Sequence, residues 1–332
     1  MEKLGFDFRR LIGRDNNIGQ LLVMVVLIIA VMSALSPDKF LRYYNFESLT
    51  YLFPELGVLS IAMLVAMMTG GIDLSIIGVA NLSAILAGLF FHQVIDRAAL
   101  SAGGGTGWVV VGVFMSIAIG ALAGAFNGFL ITRLRVTPIL ATLGSGQIYT
   151  GIALVLTGGP AIVGFPEAWD YIGNGKLFGL AVPFLLFVAI ALGMAFLLTR
   201  TTFGVDLQLI GTNPKAAVYA GLDRAKMVFL SYVLTGTLAS IAGIMLSGRT
   251  NAAKSDYGTS YLLQAILIAV LGGTNPAGGK GTVLGVSIAV VALMLLSSGF
   301  QILRFSNHLI DFIWGAFLLL VIVVNTYKNR TR

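Results

Sequence analysis

The sequence has no cysteine, which removes disulfides, thiolate metal sites and thiol nucleophiles together. Histidine is nearly missing as well. His92 and His308 stand far apart with no H-E-x-x-H spacing, so a helix-borne zinc centre is not expected. Charge is scarce: 11% of residues are charged, against roughly 25% in an ordinary soluble domain. Hydrolase signatures are absent too. Lys280 follows a glycine-rich run but precedes Gly281, so the phosphate-loop spacing G-x-x-x-x-G-K-[ST] is lacking. Gly103-Gly104-Gly105 has no lysine after it, and no G-x-S-x-G elbow occurs. The chain is expected to bind no cofactor and no metal, and to catalyse no hydrolysis itself.

What is present is apolar: 57% of the 332 residues. A soluble interior cannot hide that much apolar surface, so lipid is the expected solvent. Charge-free stretches run over 16–37, 56–72, 74–95, 98–132, 136–166, 177–199, 227–248, 257–279 and 281–303, with a shorter one at 312–327. A helix needs about 20 apolar residues to cross a bilayer core. The runs are continuous and not alternating, which favours helices over a transmembrane barrel. The expected fold is an all-α polytopic membrane protein with about ten spans, near 18–35, 56–69, 76–91, 108–131, 139–157, 180–198, 227–247, 260–272, 282–299 and 309–324. It reads as one transmembrane domain over 1–332, with a polar N-terminal segment 1–17, a long loop 199–226 and a tail 325–332. The first apolar run has a basic flank in Arg9, Arg10 and Arg14, but it exceeds a signal-peptide h-region and reads as a retained anchor.

The net charge of +7 forms no patch and gives no reason to expect nucleic acid. Basic residues sit in short connections, as orientation signals do. With both termini cytoplasmic, 14 of the 21 Lys and Arg fall inside and 7 outside, the bias that the positive-inside rule requires.

Two glycine-rich breaks echo each other. Leu64-Val65-Ala66-Met67-Met68-Thr69-Gly70-Gly71 compares with Leu267-Ile268-Ala269-Val270-Leu271-Gly272-Gly273, and each leads into another apolar helix. Interrupted spans at matching places in two halves point to an internal repeat with a pathway between the halves. Mere recurrence of glycine, of which there are 41, is the alternative. In the first break, Asp73 is a carboxylate between two apolar runs with no basic neighbour in sequence. Such a residue is a functional candidate by default. Its glycine neighbours also suit a structural role, capping the helix that starts near Ile76 jointly with Ser75.

The loop 199–226 contains Gly211-Thr212-Asn213-Pro214-Lys215-Ala216-Ala217-Val218-Tyr219-Ala220-Gly221. Asn at an N-cap, Pro at the first helical position and Gly as a stop define a very short helix. It is too short and polar to span, and its small residues suit docking into a groove on a partner; an ordinary turn is the alternative. Glycines 120, 124 and 128 recur every fourth residue, which allows close helix approach. Asn81, Asn127, Gln147, Gln264 and Gln301 are polar positions within spans that could line a path for a hydroxylated solute or bind helices together.

These segments resemble a known family. Gly70-Gly71-Ile72-Asp73-Leu74-Ser75, Gly124-Ala125-Phe126-Asn127-Gly128, Val136-Thr137-Pro138 through Gly144, the loop from Thr202 through Gly221, and Ser255-Asp256-Tyr257-Gly258 resemble the permeases of ribose, galactose, xylose, arabinose and autoinducer-2 ABC importers. The likeness covers roughly residues 20–325, and its 248–303 part is nearer the autoinducer-2 branch. One departure is Gly78, one residue later than the family's usual Leu-Ser-x-Gly. The resemblance implies a permease in a bacterial inner membrane, paired with a second permease subunit, same or related. It also implies two ATPase subunits holding ATP and Mg inside, and a soluble solute-binding protein outside. Gly211, Asn213, Pro214, Lys215, Ala216, Ala217, Ala220 and Gly221 correspond to the segment that couples to the ATPase. The alternatives are a branched-chain amino acid permease of similar fold, for which no intramembrane charge pair is evident, and an ion-coupled carrier, for which Asp73 stands nearly alone.

Overall fold

The computed structural model describes residues 16–95 and 105–330. Nearly all of the N-terminal segment 1–17, the middle of the 92–107 loop and the last two residues of the tail lie outside the described residues. Fourteen helices follow in order: α1 (Asn16–Leu35), α2 (Pro37–Phe40), α3 (Tyr43–Met68), α4 (Ile76–Val94), α5 (Thr106–Thr132), α6 (Pro138–Thr157), α7 (Glu167–Asn174), α8 (Val182–Arg200), α9 (Thr202–Thr212), α10 (Pro214–Tyr219), α11 (Arg224–Thr250), α12 (Tyr261–Leu271), α13 (Val283–Ile302) and α14 (Asn307–Arg330). Two-residue strands make two small antiparallel pairs, Ile162–Val163 with Ala252–Ala253 and Lys176–Leu177 with Leu180–Ala181. Among the described residues, eight helices are long and apolar enough to cross a membrane, and α12 and the 308–321 part of α14 are shorter apolar helices. These ten correspond to the ten expected spans.

One boundary is corrected. The second span was expected to be short, from 56, but α3 begins at Tyr43 and runs 26 residues. Pro54 and Glu55 lie inside it and made the apolar run look interrupted. The eighth span is short as expected, with 11 residues in α12.

α3 is the central mast. Every residue from Phe53 to Met68 is buried, so its apolar surface is covered on all sides by protein. α11 runs beside it and packs most extensively on α5. The glycine ladder of α5 explains that approach: a Cβ at Gly120 would overlap Gly236 O and Ser240, and one at Gly124 would overlap Tyr232 O. Small residues at four-residue spacing let the two backbones touch. By contrast, α1, α5, α6 and α8 turn apolar faces outward, with Val26, Phe114, Val155 and Phe196 all exposed. Those faces suit lipid or a partner subunit.

Candidate functional site

The two breaks share one backbone geometry. After α3, Gly70 has φ +79°, its N–H donates to Met67 O (2.9 Å) and the Gly71 N–H to Ala66 O (3.3 Å). After α12, Gly273 has φ +91°, its N–H donates to Val270 O (3.0 Å) and the Thr274 N–H to Ala269 O (3.0 Å). Both are the double hydrogen-bonded helix stop that places a left-handed glycine just past the end. The sequence echo is therefore also a structural one, and it falls where positive φ makes glycine the favoured residue.

Asp73 lies at the centre of the first break and is 1% exposed. Its Oδ1 accepts from the Ser75 N–H (3.0 Å) and Ser75 Oγ (2.6 Å), and its Oδ2 accepts from Thr235 Oγ1 (2.6 Å). Asn127 Nδ2 donates to Ser75 Oγ (2.8 Å), while Thr142 Oγ1 accepts from the Leu74 N–H (3.0 Å) and donates to Ile72 O (3.1 Å). Side chains from α5, α6 and α11 thus hold the segment open in a fixed shape. α4 starts at Ile76 as expected, but joint capping is corrected: Ser75 occupies the N-cap position without a capping bond, because its hydroxyl is committed to Asp73. Asp73 closes a turn ahead of the helix and satisfies no N–H of its first turn.

The 199–226 loop forms α9, α10 and the start of α11. Asn213 is the N-cap of α10, its Oδ1 accepting from the Ala216 N–H (3.1 Å), with Pro214 at the first position. Lys215, Ala216, Val218, Tyr219 and Ala220 are exposed, with Tyr219 at 92%. Ala217 and Gly211 are buried, so within this segment they face the fold and not a partner. Gly221 has φ +86° and open space around it.

The five polar residues considered for a solute path do not converge. Asn127 belongs to the Asp73 network. Asn81 is buried and donates to Ser255 O (3.0 Å) and Tyr257 O (2.9 Å), tying α4 to the loop before α12. Gln147 is exposed on α6, Gln264 is half-buried in α12, and Gln301 is exposed at the end of α13.

A group absent from the sequence reading lies near Asn81. Glu55, 2% exposed, accepts from Arg249 Nε (3.1 Å) and Nη2 (2.7 Å) and from the Tyr261 hydroxyl (2.8 Å). The expectation of no charge pair among the spans is therefore corrected. Glu55, Asn81, Tyr257 and Tyr261 line a small cavity between α3, α4 and α11. A length argument could have found the carboxylate. A span of 56–69 falls short of the ~20 residues a bilayer needs, and extending it takes in Glu55, which then requires a partner.

Comparison with known proteins agrees with this architecture. The family described as "Branched-chain amino acid transport system / permease component" matches residues 45–322. The autoinducer 2 import system permease protein LsrD of Yersinia pseudotuberculosis (strain IP 31758) is 32% identical over 317 residues, covering 94% of this chain and 90% of the relative. LsrD of Yersinia enterocolitica is 33% identical over 274 residues, covering 81% and 79%. LsrD of Yersinia pestis (strain Pestoides F) is 31% identical over 317 residues, covering 94% and 90%. No solved structure matches.

Proposed function

The chain belongs to the branched-chain amino acid transport system permease family, and from that premise we propose that it is the membrane-spanning permease of an ABC importer for a sugar-like solute. The observation that carries the reading is α10: a capped six-residue helix projecting Val218 and Tyr219 from one end of an all-helical bundle. A short capped helix that presents Val218 and Tyr219 offers anchors for a groove on a partner. ATPase subunits on the cytoplasmic side supply one, with ATP and Mg bound there and not by this chain. The curated relatives import autoinducer 2, which makes that compound the first solute to test.

The remaining assembly follows from the same reading. Gln147 shares an exposed face of α6 with Gly144 and Gly151, where an added Cβ meets nothing. A polar side chain and small residues facing out of a span support helix association there, with a second permease subunit, the same or related. A binding protein delivers solute at the opposite end, the chain sits in the bacterial inner membrane, and both termini are cytoplasmic.

The test is copurification: the tagged chain, solubilised from its own host, should bring down ATPase subunits. A chain that purifies without any nucleotide-binding partner and still transports would favour an ion-coupled carrier.

A further inference from the structure

The two helix breaks and the α9–α10 elbow meet at a single point. The Gly279 N–H donates to Met68 O (3.0 Å), which joins the second break to the end of α3. Gly70 faces Ala277 O, 3.2 Å from where its Cβ would lie. Gly211, at the end of α9, wedges between them. A Cβ there would overlap Met68 O and Gly279 N at once, with Gly279 Cα at 3.0 Å. In the other direction, a Cβ at Gly278 would lie 2.6 Å from Gly211 O, and one at Gly279 would lie 2.8 Å from Thr212 N and overlap Thr212 Oγ1. Gly70, Gly278 and Gly279 all have positive φ. Three segments far apart in sequence thus meet backbone to backbone, with the Thr212 hydroxyl packed against Gly279.

We propose that Gly211, with Gly278 and Gly279, is a positioning site that makes the α9–α10 segment and both breaks one mechanical unit, so that a displacement of α10 reaches both halves of the transporter simultaneously. The inference rests on the importer reading, since it needs an ATPase to move α10. Side-chain contacts in a bundle can slip by changing rotamer, whereas backbones in direct contact have no such freedom, because a close-packed interior transmits strain. Sequence 213–221 then supplies the handle and Gly211 the joint. No chemical step is involved; the site passes on position only.

The experiment uses the full complex in lipid, with its copurified ATPase subunits. Because the native chain has no cysteine, Thr69→Cys in the first break and Ala277→Cys in the second report separately. Each is labelled with a maleimide in the absence and presence of ATP plus vanadate. In the otherwise unaltered chain, nucleotide should change the labelling rate at both positions. Gly211→Ala should abolish both responses while the ATPase subunits still copurify and hydrolyse ATP. A purely structural role would lower yield and leave the response per assembled complex unchanged. A second variant guards against misfolding: Thr212→Cys with Lys280→Cys, in a chain without the reporter cysteines and bridged by a short bis-maleimide, should keep ATP-driven transport, because the bridge joins parts that already move together. Loss of response at only one reporter, a normal response in Gly211→Ala, or arrest by the bridge would overturn the proposal. Failure of ATPase subunits to copurify with the unaltered chain would instead remove the importer reading.

Discussion

Glu55 and Arg249, 194 residues apart in sequence, form a two-point ion pair, with Nε to Oε2 at 3.1 Å and Nη2 to Oε1 at 2.7 Å. The pair ties the middle of α3 to the far end of α11, and the Tyr261 hydroxyl adds the start of α12 at 2.8 Å. Removing one member of a buried pair leaves the other charge unpaired, at a cost of about 3–5 kcal/mol. Arg249→Met should therefore lower thermal stability in detergent sharply. Glu55→Gln with Arg249→Met should recover much of the loss, since neither charge then remains. Tyr261→Phe should cost about 1.5–3 kcal/mol, the net worth of a hydrogen bond to a charged group. A double variant no more stable than Arg249→Met would contradict this account of the pair.

The Asp73 network makes a second prediction. Asp73→Asn keeps an acceptor toward Ser75 and offers an N–H toward Thr235 Oγ1, whose own hydroxyl can then donate to Tyr232 O, 2.9 Å away. The Asn variant should assemble and transport. Asp73→Leu strands the buried N–H and hydroxyl of Ser75, each costing about 1–3 kcal/mol, and should fail to assemble. Normal assembly of the Asn variant with transport lost would mean that the charge itself is used.

For α10, burial separates fold from docking. Tyr219→Ala and Val218→Asp should weaken ATPase association while the chain keeps its melting temperature, because both side chains are exposed. Ala217→Trp should lower the melting temperature, since Ala217 is 5% exposed and overpacking costs about 1–3 kcal/mol or more. Copurification and thermal melting of the same samples decide between the two effects.

Orientation is tested by single cysteines. Phe178→Cys, at a position 94% exposed, should react with an impermeant maleimide from outside the cell. Tyr219→Cys should react only in inverted vesicles. The opposite pattern would invert the assigned topology.

Much of this was legible in the sequence because it depends on local chemistry. The ten spans follow from apolar run length, the double helix stop from Gly70 and Gly273, and the α10 start from Asn213-Pro214. The α5 glycine ladder announced a close helix neighbour, though not that the neighbour was α11. What stayed hidden depends on distant partners. Glu55 looked like the edge of a span because Arg249 neutralises it only in three dimensions. Ser75 looked like a cap until Asp73 and Asn127 claimed its hydroxyl. Ala217 could not be separated from Ala216 because a six-residue helix is too short to show periodicity. Gly211 looked like part of a docking loop, and its meeting with Met68 and Gly279 has no trace in the local pattern.

ATP-driven import is measured as uptake of autoinducer 2 into proteoliposomes. These would hold the purified complex, with binding protein supplied outside and ATP enclosed within. Uptake should require enclosed ATP and binding protein together and should be indifferent to dissipating the proton and sodium gradients. Uptake that continues without ATP and collapses with the ion gradients would contradict ATP-driven import.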